Sequence, residues 1–92
     1  MRYLSGYSFH RIEAKSTPLS IPIEGQPEEA FITLQGGSIR YRYDGKDPDE
    51  FTGHLLHDGM SLRLTGIGQL QNFRFILSSE LPGSISLTLE KE

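Results

Sequence analysis

The chain has 92 residues, of which 36% are hydrophobic and 23% charged, with a formal net charge of -3 and no cysteine or tryptophan. This excludes disulfides, thiolate zinc centres and cysteine nucleophiles, and it argues against a basic nucleic-acid-binding surface. No apolar run approaches the roughly 18 residues that a membrane-spanning helix needs, so a membrane partner is not expected.

In chain order, the first candidate strand covers Ser8 to Ala14, and the second is the run Leu19-Ser20-Ile21-Pro22-Ile23. Proline cannot donate to a ladder, so Pro22 places that run at a sheet edge or a bulge. Pro27 to Ala30 is long enough for one helical turn only. Phe31 to Leu34 and Ile39 to Tyr43 follow as strands, with Gly36-Gly37 between them reading as a hairpin turn. In the second of these, Ile39, Tyr41 and Tyr43 alternate with Arg40 and Arg42, which predicts the tyrosines inward and the arginines outward. Asp44 to Gly53 is a loop. Asp58-Gly59 reads as a second hairpin turn, ahead of a strand on which Leu62 and Leu64 alternate with Ser61, Arg63 and Thr65. Gly66 to Leu70 offers a short turn of helix. Phe73, Phe75 and Leu77 mark another strand, Pro82-Gly83 a turn, and Ile85, Leu87 and Leu89 the last strand.

Seven or eight short strands at this spacing predict one all-β domain over residues 1-92, a small jelly-roll-like antiparallel β-sandwich. The expected core is Ile32, Leu34, Ile39, Tyr41, Tyr43, Leu62, Leu64, Phe73, Phe75, Ile85 and Leu87. A chain this short builds a shallow core, and small scaffolds often gain stability by oligomerising.

Several constellations bear on chemistry. Asp44, Asp47, Asp49 and Glu50 crowd one loop, but they miss the alternating ligands and sixth-position glycine of a calcium loop, and Lys46 opposes a cation. His54 and His57, with His10 or Asp58, are the residues from which a cupin-like metal enzyme would assemble a site; the usual spacing of two histidines separated by one residue is absent. Serines, histidines and aspartates are plentiful, yet no Gly-x-Ser-x-Gly elbow occurs. Glycosidase carboxylates cannot be singled out from Glu24, Glu28, Glu29 and Glu50. Gly66-Ile67-Gly68 does not open a helix after a parallel strand, so no dinucleotide cofactor is implied. Tyrosines on an exposed sheet face would suit a sugar ring, which makes a small carbohydrate-binding module the main alternative function. No catalytic residue, metal ligand or cofactor is assigned.

The stretch from Gln35 to Leu64 carries Ile39-Arg40-Tyr41-Arg42-Tyr43-Asp44-Gly45-Lys46-Asp47-Pro48, then Thr52-Gly53-His54-Leu55-Leu56, then Asp58-Gly59-Met60-Ser61-Leu62. It is followed by Phe73-Arg74-Phe75-Ile76 and the final Ile85 to Leu89 strand. This order resembles a family of small proteins encoded among the virion structural genes of tailed phages and bacterial prophages, over about residues 30-89. The resemblance implies a non-enzymatic structural or accessory protein, acting through self-association or docking on other phage structural proteins. With no cysteine and no unbroken apolar run at the N-terminus to act as a secretory signal, the expected location is the bacterial host cytoplasm, or the virion that the resemblance implies. Asp44-Gly45, Pro48, Gly53 and Gly59 are read as turn-formers, and Leu55, Leu62 and Leu64 as core. The expected contact surfaces are the Leu19, Ile21 and Ile23 edge, and the loop bearing Asp44, Asp47, Asp49, Phe51 and His54.

Overall fold

A computed structural model describes residues 3-92. Its elements are β1 (Ser5–Glu13), β2 (Glu29–Gln35), β3 (Ser38–Arg42), β4 (His54–His57), β5 (Ser61–Thr65), α1 (Ile67–Asn72), β6 (Arg74–Leu77) and β7 (Ser84–Lys91). One sheet has the order β1-β7-β2-β5 and the other β4-β3-β6, and every pairing is antiparallel. Leu19 forms an isolated antiparallel bridge with Phe75 on β6. Counted as a rudimentary strand between β1 and β2, this bridge gives eight strands. The sheets then read first-eighth-third-sixth and fifth-fourth-seventh-second, which is jelly-roll order.

Period-two alternation explains which side chains meet between the sheets. Ala30, Ile32 and Leu34 of β2 face inward with Leu64 of β5 and with Ile85, Leu87 and Leu89 of β7. They pack on Ile39, Leu56 and Phe75 of the smaller sheet. Phe73 and Phe75 lie with ring centroids 5.8 Å apart and planes 32° from parallel, a tilted contact between two fully buried rings. The short helix α1 has no side-chain cap at Gly66. It is held by buried Leu70, by the Thr65 amide donating to Gln69 Oε1 at 2.8 Å, and by Arg74 donating to the carbonyls of Gln71 and Phe73.

Two expected hairpin turns, and the expected turn before the last strand, are corners between the sheets. Gly36-Gly37, Asp58-Gly59 and Pro82-Gly83 each carry the chain from one sheet to the other, because β2, β5 and β7 belong to the larger sheet and β3, β4 and β6 to the smaller. The corners brace one another. The Gly36 amide donates to Asp58 Oδ1 at 2.9 Å, and the Gly59 amide to the Leu34 carbonyl at 2.9 Å. Gly36 and Gly37 adopt φ of 76° and 53°, and a Cβ on them would meet the Pro82 oxygen at 2.8 Å and the Leu81 oxygen at 2.6 Å. Glycine meets both demands, positive φ and close backbone approach.

Other expectations need correction. Pro27 to Ala30 is not helical; its last two residues begin β2. The Leu19–Ile23 run does lie at a sheet edge, where Leu19 bridges the outer side of β6, but it is not exposed throughout, since Ile21 is 5% exposed and belongs to the core. Tyr43 lies beyond the last residue of β3 and is exposed rather than buried. Leu62 is only half-buried. On β4 it is Leu56 that enters the core, at 2% exposure, while Leu55 is 44% exposed on the opposite face.

Candidate interaction surfaces

The Asp44 to Gly53 loop joins β3 to β4, which pair with each other in the smaller sheet. Two of its acids, Asp44 and Asp49, are bound by neighbouring residues. Arg42 grips Asp44 with both guanidinium arms, Nε lying 3.0 Å from Oδ1, and the Lys46 amide donates to the same oxygen at 3.3 Å. The Arg42 hydrogen bonds hold the Asp44 carboxyl down at about 2. Asp49 Oδ1 accepts the Phe51 amide at 2.8 Å, which keeps that carboxyl below its ordinary range. Arg40 donates to the Glu50 carbonyl at 3.0 Å and the Gly53 carbonyl at 2.9 Å. Both arginines are thus engaged with this loop and not with acids across the sheet. Pro48 is buried, whereas Phe51 is 82% exposed and Asp47 stands in solvent.

At the mouth of this loop, Tyr43 stacks on His54 with ring centroids 6.2 Å apart and planes 24° from parallel. His54 leans in turn on half-buried Tyr41, at 5.4 Å, and Tyr41 on Phe73 at 5.6 Å. Tyr43, His54, Arg42, Asp44 and Gly53 line a shallow cleft of about 360 Å³. Of the expected contact residues here, Asp44 and His54 line this cleft together, while Asp47, Asp49 and Phe51 are not among its lining residues.

The other expected surface is divided. Leu19 closes the edge of β6 with two 2.9 Å backbone hydrogen bonds to Phe75, Ile21 is buried, and Ile23 faces outward. Ile23 borders a groove of about 900 Å³, with Ile67 also exposed on it and with Gln26, Pro27, Glu29 and Gln71 lining it.

Sequence reading passes over two features. Ser8 and His10 lie on the inward side of β1, opposite Leu89 and Leu87 of β7, and meet Glu24 there. His10 Nε2 is 3.0 Å from Ser8 Oγ and 3.0 Å from Glu24 Oε1, and Ser8 also donates to Glu24. A proton relay needs serine and acid on opposite imidazole nitrogens; here both use Nε2, so this trio ties a loop to a strand. The second feature is the outward face of the larger sheet, where Phe9, Thr88, Phe31 and Arg63 form one row across four strands. Arg63 sits 5.2 Å above the Phe31 ring and bridges Glu29 and Glu90. The signal for it was present in the alternation of Phe9, Arg11 and Glu13 with Ser8, His10 and Ile12, but both faces of β1 carry polar groups, so the pattern did not say which face was inward.

His54 and His57 occupy β4, and His10 lies on β1 in the other sheet. Among the described residues no group of three or more His, Asp or Glu side chains is placed to hold a metal ion. No helix among them is long and apolar enough to cross a membrane. Comparison with protein-family models, with curated proteins and with solved structures finds no match to the chain.

Proposed function

We propose that this chain is a non-enzymatic, virion-associated structural or accessory protein of a tailed phage or prophage, working by self-association or by docking on other particle proteins. Its setting on this reading is the bacterial host cytoplasm or the assembled virion. The observation that carries the reading is the open edge of the larger sheet: among the described residues β1, nine residues long, has a strand neighbour on one side only. Unpaired edges template the addition of another chain. Supporting it, Arg40, Arg42, Asp44 and Asp49 of the resembling stretch form a loop, and Gly36, Gly37, Gly59 and Gly83 form corners. Such residues specify a shape, and they leave recognition to faces and edges.

The first test is the solution mass, by size-exclusion chromatography with light scattering. A closed oligomer of the 10.4 kDa chain is expected. A monomer at the highest soluble concentration, which also fails to bind particle proteins encoded beside it, overturns the reading.

One observation favours a second reading, a small carbohydrate-binding module. The exposed Tyr43 ring, stacked on His54 beside the Arg42–Asp44 fork, offers an aromatic platform with polar groups at its rim. Glycan-dependent quenching of tyrosine fluorescence that disappears in Tyr43→Ala would establish it.

A further inference from the structure

We propose that two copies of this chain join edge to edge through β1, antiparallel about Ile12, so that their four-stranded larger sheets become one continuous sheet. This rests on the self-association reading above and specifies its contact.

The backbone sets the register. Ala14 donates its amide to the Gly83 carbonyl at 2.9 Å, and β1 pairs Ile12 with Ile85 and His10 with Leu87. In an antiparallel ladder the amides of alternate residues turn to opposite sides. Those of His10, Ile12 and Ala14 therefore face β7, and those of Arg11 and Glu13 face the open edge. The ladder available to a second copy is bounded at both ends. The register slips between Gly6 and Ser8, and Lys15 gives its carbonyl to the Leu77 amide at 2.8 Å as the chain crosses to the smaller sheet. The regular edge runs from Ser8 to Ala14, and a pairing centred on Ile12 uses His10 to Ala14 of each copy.

The side chains set the partner. Arg11 and Glu13 are both exposed on the outward face, and neither joins an ion pair among the described residues. They lie two residues apart with Ile12 between. A two-fold axis through Ile12 brings Arg11 of each copy opposite Glu13 of the other, as a pair that exchanges both backbone hydrogen bonds. Opposite charges directly across a ladder favour pairing, and like charges oppose it. The backbone supplies affinity, and the charges fix register and partner. The remaining edges lack this self-complementarity. On β5 the central Arg63 would face its own copy and is already held by Glu29 and Glu90. β4 has only four residues, and Leu19 covers β6.

The test is light scattering over a concentration series on four variants. Wild type is expected to dimerise. Arg11→Glu and Glu13→Arg each place like charges opposite at two symmetric positions and are expected to raise the dissociation constant about tenfold. The double variant R11E/E13R restores it. Glu13→Pro removes an amide that has no partner in the single copy, so its circular dichroism stays that of the folded domain while the dimer is lost. A dimer indifferent to Glu13→Pro and Arg11→Glu overturns the β1 contact and leaves self-association through another surface. A wild-type monomer at every concentration overturns the contact together with the self-association reading on which it rests.

Discussion

Gly83 lies against Gly36 so closely that a Cβ on Gly83 would fall 2.6 Å from the Gly36 carbonyl oxygen. Two corners of the sandwich, one leaving β2 and one entering β7, thus touch backbone to backbone. Gly36→Ala and Gly83→Ala are each expected to destabilise the domain by about 1–3 kcal/mol. Gly36 suffers from its φ as well as from the contact, Gly83 from the contact alone. Urea unfolding checks this, with Gly68→Ala as the control, since a Cβ there meets nothing within 4 Å.

Ile21 and Ile23 sit two residues apart and have opposite environments. Ile21→Ala is expected to cost about 2–5 kcal/mol, because it opens a cavity between the sheets. Ile23→Ala, on the rim of the large groove, is expected to stay within about 0.5 kcal/mol of wild type. Thermal or urea midpoints of the two variants separate the buried part of this segment from the exposed part.

Asp44 has a folded-state pKa of about 2 against an ordinary value of 3.8, chiefly through its hydrogen bonds with Arg42. A lowered carboxyl pKa stabilises the fold fully above the unfolded value and loses that contribution as pH falls through the folded one. The loop's grip on β3 is therefore complete above about pH 4 and weakens between there and about pH 2. A carboxyl carbon NMR titration should place the Asp44 midpoint near the lower value. In Arg42→Gln it should move back toward 3.8.

Glu24 is held below its ordinary range, first by the Ser8 hydroxyl and then by His10. By the same sign, its stabilising contribution is present above about pH 4.5 and fades in more acid solution. Glu24→Gln is expected to be less stable than wild type near neutrality and to converge with it as pH falls. Urea midpoints of the two proteins across that range test the convergence. A stability gap that does not narrow at low pH would contradict the assignment.

The strands were legible wherever one face was apolar and the other polar, as in Ile32 and Leu34 of β2 or Ile85, Leu87 and Leu89 of β7. What stayed hidden was relational. Gly36-Gly37 and Asp58-Gly59 look like hairpin turns because a tight reversal and a sheet-to-sheet corner ask for the same backbone freedom. Nothing local says whether the next strand pairs with the last one or packs over it. β4 was missed because His54-Leu55-Leu56-His57 shows no alternation; only its register, with Leu56 opposite Ile39, decides which leucine is buried. Tyr43 continues the alternation of β3 past the point where its ladder stops, so the pattern promised burial that pairing did not deliver. In the candidate loop, Asp44 and Asp49 have their partners two residues away, Arg42 and Lys46 for Asp44 and Phe51 for Asp49, yet the sequence does not say that these carboxylates bend back onto their neighbours instead of facing solvent.

The position of β7 carries a consequence for the making of this protein. It is the last strand in chain order, yet it lies between β1 and β2 and bonds to both. Until Ser84–Lys91 has left the ribosome, the first strand has no ladder to join, and Ile32 and Leu34 lack the facing row of Ile85 and Leu87. Such long-range pairing slows folding and leaves strand edges open meanwhile. The nascent chain must therefore wait, its larger sheet unassembled, for the eight residues of β7 to close it.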